Sequence, residues 1–352
     1  MRVLIDLSHP AHVHFYRRMR ELLLARGDDV LVVSRDKEVT IDLLEHYGIE
    51  HVPVGQAGER STAERALELL QRDLTLARLG RRFRADVVLT RNPAGAQAAR
   101  LLGVPGIFDT DDGTAVGIHW RAAAPFATVI TSPRAMGEDH GPRHWPYPTY
   151  KWMTYLHPSH HRGDPTVRDR LGLAEGERLF ILRLVAMDAS HDVGRAGIDD
   201  PLRDRLVHEL SKRGRLVISS ETPLPDHLRH LEFQLPAVEL LDAIAVADLV
   251  VGDSQTVCAE AAIQGTPVVR ASPFAGQVHV YEDLEDRYQL IRNFRSDDRE
   301  AVMGAVVELA DDLDARAIWA ERRDRMLADQ IDLSAWYLDL VDLVVARSRR
   351  AN

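Results

Sequence analysis

Short, unbroken apolar runs alternate with helix-like stretches along most of this chain, and that alternation limits the fold more than any other feature. "RVLIDL" (2–7), "DVLVVS" (29–34), "DVVLT" (86–90), "GIFDT" (106–110) and "ATVITS" (127–132) read as strands buried on both faces. Helical patterns near 12–26, 37–47, 61–82 and 93–102 separate them. Strand-helix alternation of this kind specifies a parallel sheet covered by helices on both sides. The pattern breaks over 133–165, a stretch rich in Pro, His, Trp and Tyr that is expected to cross between domains, with a short helix at 165–171. It resumes with "RLFILRLV" (178–185), "GRLVISS" (214–220), "ADLVVGD" (247–253) and "TPVVRAS" (266–272). Helices are expected near 198–212, 236–246, 255–264, 298–312 and 315–330, and a last amphipathic helix covers "LSAWYLDLVDLVVARSRR". At 352 residues the chain is too long for one ordinary core. The expectation is α/β, with two doubly wound domains facing each other across a ligand cleft. Domain boundaries fall at 1–160 and 161–330, and residues 331–352 form a C-terminal helix able to pack back on the first domain.

Charge and composition remove several functional classes. A net charge of −10 and a pI near 5.9 disfavour nucleic acid, which needs a basic face. No apolar run reaches the roughly 20 residues that span a bilayer. The opening "MRVLIDLSHP" enters a strand without a charged leader, which predicts a cytoplasmic protein. The single cysteine, Cys258, excludes an internal disulfide and reads as a packing residue.

One stretch asks for a chemical explanation. "GDSQTVCAEAAIQGTP" (252–267) follows a strand with a tight turn and then a helix carrying a single carboxylate, Glu260, among small residues. The first amides of such a helix lack intrahelical partners and lie at the positive end of its dipole, which makes an anion site. Ser254, Gln255 and Thr256 are candidate contacts there. Glu260 lies one and a half turns in, roughly 7–9 Å along the axis, about the span from a pyrophosphate to the hydroxyls of its ribose. An N-capped helix with one solvated glutamate is the plain alternative.

This stretch resembles the nucleotide-sugar motif of GT-B glycosyltransferases. "SHPAHVHFYRRM" resembles the first loop of the transferase that adds N-acetylglucosamine to lipid-linked peptidoglycan precursors, His12-Val13 falling on its His-Val, although Ser8-His9-Pro10-Ala11 replaces the glycines. Over residues 1–295 the chain is similar to a family of largely uncharacterised predicted GT-B glycosyltransferases, through "IDLSHPAHVHFY", "YLHP" (155–158) and "EAAIQGTP". The resemblance implies sugar transfer from a nucleotide-diphosphate donor, a UDP-sugar first among them. The acceptor would be a sugar or lipid-linked hydroxyl in cell-surface glycan assembly, and no cofactor or metal is implied.

Other candidates follow from that frame. His9, His12 and His14 crowd the loop after the first strand, and His12 near a helix N-terminus would stay neutral, as a general base must. Asp109 and Asp111 in "FDTDDG" match the D-x-D by which a different glycosyltransferase fold holds a metal; at a strand end they could instead bind acceptor or act as base. Arg183 could reach a diphosphate, Glu221 lies after the next strand, and Gln277 falls where related transferases hold the donor sugar. The aromatic segment 144–155 is expected to be a packed hinge, with contact to a lipid-linked acceptor and the membrane periphery as the other option. A UDP-N-acetylglucosamine 2-epimerase would recruit Asp109, Asp111, Glu138 and His191, though the epimerases' His-Arg after the second domain's first strand is absent. A non-catalytic nucleotide-binding subunit would need only the Glu260 turn.

Overall fold

The computed structural model describes residues 1–36, 39–56, 62–111, 117–186 and 197–351. They divide into two compact units, Met1–Ser159 with Ile331–Asn352, and His160–Gln330.

In the first unit the strands are β1 Arg2–Leu7, β2 Asp29–Asp36, β3 Val52–Gln56, β4 Val87–Thr90, β5 Gly106–Asp109 and β6 Val129–Thr131. They form one parallel sheet in the order β3-β2-β1-β4-β5-β6. The helices are α1 Pro10–Ala25, α2 Thr40–His46, α3 Thr62–Phe83, α4 Pro93–Leu102 and α5 Gly117–Ala123. The strand order runs outward from β1 to β3 and then jumps back to β4, so right-handed crossovers put α1 and α2 on one face and α3, α4 and α5 on the other. Leu4, Val33 and Val88 of the sheet pack on Leu76 of α3 and on Ala94, Ala98 and Ala99 of α4. β3 escaped the sequence pattern because "VPVGQ" carries Pro and Gly at the sheet edge, where they are tolerated.

The second unit carries β7 Leu179–Leu184, β8 Arg215–Ser220, β9 Leu249–Gly252, β10 Val268–Ala271 and β11 Arg292–Phe294, parallel in the order β11-β10-β9-β7-β8. Its helices are α6 Val167–Arg170, α7 Asp200–Ser211, α8 Leu240–Val246, α9 Gln255–Gln264, α10 His279–Asp286, α11 Arg299–Asp311 and α12 Ala315–Ala328. The three-residue edge strand β11 and helix α10 are too short and polar to stand out in the sequence. Gly252 lies against Arg183 of β7: a Cβ there would lie 2.8 Å from the Arg183 carbonyl oxygen.

The final helix, α13 Leu333–Ala351, is part of the first unit. Its Tyr337 is fully buried, Ser334 Oγ donates to the Thr154 carbonyl at 2.8 Å, and Asp342 takes a two-pronged bond from Arg26 at 2.9 Å. The aromatic segment is packed, and it belongs to the first unit. Tyr147, Tyr150, Trp152 and Tyr155 are buried, and Tyr147 packs edge-on against Trp336 of α13. Their apolar area is used in the core of the first unit. No helix among the described residues is long and apolar enough to cross a membrane.

Candidate functional site

In doubly wound sheets the strand order reverses at one point, and the loops leaving the two strands there diverge to leave a crevice. The first sheet reverses between β1 and β4, the second between β7 and β9. Each reversal gathers polar groups.

At the first, β1 carries buried Asp6 one residue before its end, which accepts from Thr90 Oγ1 at 3.0 Å and Asn92 Nδ2 at 3.2 Å and pairs with buried Arg72. Asn92 Oδ1 in turn accepts from Ser8 Oγ, which fixes the start of the loop into α1. Gly95 lets α4 approach: a Cβ would sit 2.3 Å from Thr90 Oγ1. His9 is the N-cap of α1, its Nδ1 accepting from the Ala11 amide at 3.2 Å, and Pro10 opens the helix.

His12 therefore stands in the first turn of α1. Burial, followed by the charges of Arg91, His9, His119 and Lys151, holds its pKa well below the ordinary value, so the ring is neutral at physiological pH. Its Nδ1 faces the Ser8 amide at 3.4 Å, so the neutral ring carries its proton on Nε2 and presents a donor there. That tautomer suits holding a substrate oxygen; to accept a proton at Nε2 the ring must first give up the Ser8 contact. His14 is elsewhere. Two residues along a helix put it on another face, where it packs against Tyr47 and Tyr155 at ring separations of 5.9 and 5.3 Å. That placement removes it from the candidates.

Asp109 is also reassigned. It is 1% exposed and accepts from Thr131 Oγ1 at 3.0 Å, from Tyr337 Oη at 2.6 Å and from Arg91. Buried and engaged by these three groups, it belongs to the packing of the first unit. Asp111 differs, lying closer to the surface and joining Arg91 to Lys151. The sequence reading missed Asp6, Arg72, Arg91 and Asn92. For Asp6, Arg91 and Asn92 the available signal was a polar or charged residue inside or directly after an apolar strand, where burial without a partner is prohibitive; Arg72, in mid-helix, gave none.

At the second reversal, β9 ends in Gly252 and Ser254 caps α9, its Oγ accepting from the Val257 amide at 3.3 Å. The next intrahelical bond runs from the Cys258 amide to the Ser254 carbonyl, so the amides of Gln255 and Thr256 are left for a ligand or water. Both side chains are half-buried at the helix mouth. Glu260 is not a solvated glutamate: it is 5% exposed on a helix whose residues Val257 to Ile263 are all buried. Burial drives the Cys258 thiol up to about 12, in keeping with a packing role.

Asp253, which the sequence reading passed over, accepts from the amides of Val185 at 2.9 Å and Ile198 at 3.0 Å. It thereby ties the segment that follows β7 to the α9 turn. Burial raises its pKa to about 6 against the opposing pull of those amides. Arg183 is engaged by residues of the neighbouring strand. It pairs with Glu221 and donates to Ser219 Oγ at 2.9 Å, while Glu221 accepts from the Ala186 amide at 3.1 Å. Both side chains brace the ends of β7 and β8. Gln277 is exposed in the loop after β10, with its backbone N–H donating to the Phe274 carbonyl at 3.1 Å and its side-chain Nε2 to the Pro273 carbonyl at 3.4 Å. Glu138 pairs with His140 at 2.9 Å, and His191 lies outside the described residues.

The architecture has known counterparts. The spinosyn forosaminyltransferase SpnP superposes with a TM-score of 0.68 at 15% identity, over 98% of this chain and 99% of that one. The glycosyltransferase VinC, solved in complex with DTDP, gives 0.63 at 14% identity over 99% and 100%. The fold is of the GT-B type. The GT-B likeness extends to the UDP-GlcNAc 2-epimerase from Methanocaldococcus jannaschii, with a TM-score of 0.62 at 12% identity over 89% and 94%. Residues 1–140 match the model of a family described as a protein of unknown function, DUF354. Comparison with curated proteins gives no match.

Proposed function

We propose that this GT-B protein is a glycosyltransferase that draws its sugar from a nucleotide-diphosphate donor, a UDP-sugar, for cell-surface glycan or glycolipid assembly. The observation that carries the proposal is the mouth of α9. Two open amides and the Thr256 hydroxyl are set for a diphosphate, and the Glu260 carboxylate is set for the ribose. The complex of VinC with DTDP supports a nucleoside diphosphate as the class of ligand.

In this reading the negative charge that grows on the leaving diphosphate is stabilised by the helix amides, which are already oriented and need no reorganisation. Asp253 keeps the turn in place by holding the Val185 and Ile198 amides. Gln277 contacts the donor sugar. On the first unit, His12 holds the acceptor oxygen by donating from Nε2; once the Ser8 contact is given up and the ring's single proton sits on Nδ1 instead, Nε2 is free to accept the acceptor's proton and the ring becomes an imidazolium.

Titration calorimetry with UDP, TDP and UDP-N-acetylglucosamine tests the donor claim. Glu260→Gln should weaken nucleotide binding by about 10- to 150-fold, the equivalent of roughly 1.5–3 kcal/mol for bonds to a charged group, without lowering the unfolding midpoint. Binding of the wild-type protein should persist in chelator. Equal affinity of the variant would remove the ribose role. The epimerase neighbours make 2-epimerisation the second reading; isomerised sugar from UDP-N-acetylglucosamine with no acceptor present would establish it. Tight nucleotide binding with no turnover on any acceptor would instead indicate a non-catalytic subunit.

A further inference from the structure

The aromatic segment that offered a membrane contact in the sequence is buried, yet the structure has an amphiphilic surface elsewhere. Helix α3 packs inward through Leu69, Leu76 and Leu79. Its opposite face carries a second set of leucines: Leu67, Leu70 and Leu74 are 56%, 53% and 42% exposed. Positions 67, 70 and 74 follow helical spacing and form one stripe, which continues through exposed Arg78, Arg81 and Arg82. The stripe is roughly 22 Å long at 1.5 Å per residue. On the neighbouring helix α4, Arg100 and Leu101 are exposed as well, Leu101 at 53%.

The charge on the C-terminal half of this face is one-sided in a chain of net −10. From Leu74 to Arg84 there are four arginines and no acid. Among the described residues none of these guanidiniums pairs with a carboxylate. Of the acids on the helix, Asp73 is buried, Glu68 is turned to Arg35, and exposed Glu64 lies in the first turn, more than two turns before the first arginine of the run. Basic side chains at a helix C-terminus complement its dipole, which accounts for part of this pattern. It does not account for three solvent-facing leucines a few turns away. Arg84 adds a second anomaly. It ends α3 in the left-handed conformation, φ 58°, where glycine is the favoured residue, and so retains a charge at a conformational cost.

We propose that this face of α3 docks the protein on an anionic lipid surface. The leucine half enters the boundary between headgroups and acyl chains, and the arginine half, with Arg84 and Arg100, lies on the phosphates. An apolar stripe continuous with uncompensated basic charge fits such a surface, because both halves are satisfied only where a hydrocarbon and an anion layer meet. The proposal does not depend on the reading of the nucleotide site.

The test is co-sedimentation of the full chain with vesicles of phosphatidylcholine alone and of phosphatidylcholine mixed with phosphatidylglycerol. Binding to the mixed vesicles only, falling as salt rises, is expected. Arg78→Gln and Arg81→Gln should each weaken it about fivefold, the effect of one basic residue at an anionic surface. Leu67→Gln with Leu70→Gln and Leu74→Gln should weaken it at least about tenfold. Arg84→Gly separates binding from folding, because glycine suits the backbone there: affinity should fall about fivefold with no loss of thermal stability. No sedimentation with either vesicle, equal binding to both, or full binding by these variants would overturn the proposal. So would a dimer in solution that the leucine variant dissolves, since the stripe would then be covered by a second copy.

Discussion

Replacing Asp109 with Asn tests whether that aspartate holds the first unit together or does chemistry. Its carboxylate takes Arg91, Thr131 and Tyr337 within one buried cluster. Removing one member of a buried ion pair costs about 3–5 kcal/mol, because the other charge stays buried. Asn keeps one oxygen for Thr131 and Tyr337, and Arg91 keeps Asp111. The lower end, about 3 kcal/mol, is therefore expected. For a unit of this size that lowers its melting midpoint by roughly 6–12 °C, at about 2–4 °C per kcal/mol. Tyr337→Phe, which deletes one bond to the same carboxylate, should cost about 1.5–3 kcal/mol. The two substitutions share a partner, so the double variant should fall short of additivity by about 1–2 kcal/mol. Urea denaturation of the four proteins, followed by tryptophan fluorescence, gives all three numbers. A variant with the wild-type midpoint and no turnover would refute the structural assignment and return Asp109 to the catalytic candidates.

His12→Ala should leave nucleotide affinity nearly unchanged and reduce transfer by about 10²–10⁴-fold, the effect of losing a general base. Because the His12 pKa is held low, the wild-type rate should stay flat as pH falls past 6.5 and drop only below it; a midpoint at or above 6.5 would show that another group titrates. Asp73, buried on α3, is raised to about 7 by burial and by the Asp6 carboxylate, with Arg72 opposing. The folded state thus keeps a proton that the unfolded chain releases, and stability falls as pH rises from about 4 to about 7. Asp73→Asn should raise stability at pH 8 by on the order of 2 kcal/mol and lose that advantage near pH 4; an unchanged pH dependence of the melting midpoint would contradict this.

The chain's strand-helix grammar was legible in sequence because buried parallel strands must be continuously apolar, and nine of its apolar runs satisfy that condition. The α9 turn was legible for the same kind of reason: glycine, a small N-cap residue and a lone carboxylate are local signals, set by backbone geometry and dipole. Edge elements such as β3 and β11 were not, because one exposed side and few residues leave no pattern to detect. What depended on the third dimension was the partner of each charge. Asp109 and Asp111 are two residues apart and look alike in "FDTDD", but only one lies against Tyr337, 228 residues away along the chain. Arg183 and Glu221 read as separate candidates until adjacent strands brought them into a pair. His12 and His14 differ by the 3.6-residue turn of a helix whose start at Pro10 fixes which of them meets the buried cations. Local propensity acts over a few residues, whereas the cost of burying a charge is settled by whichever group the fold carries to it.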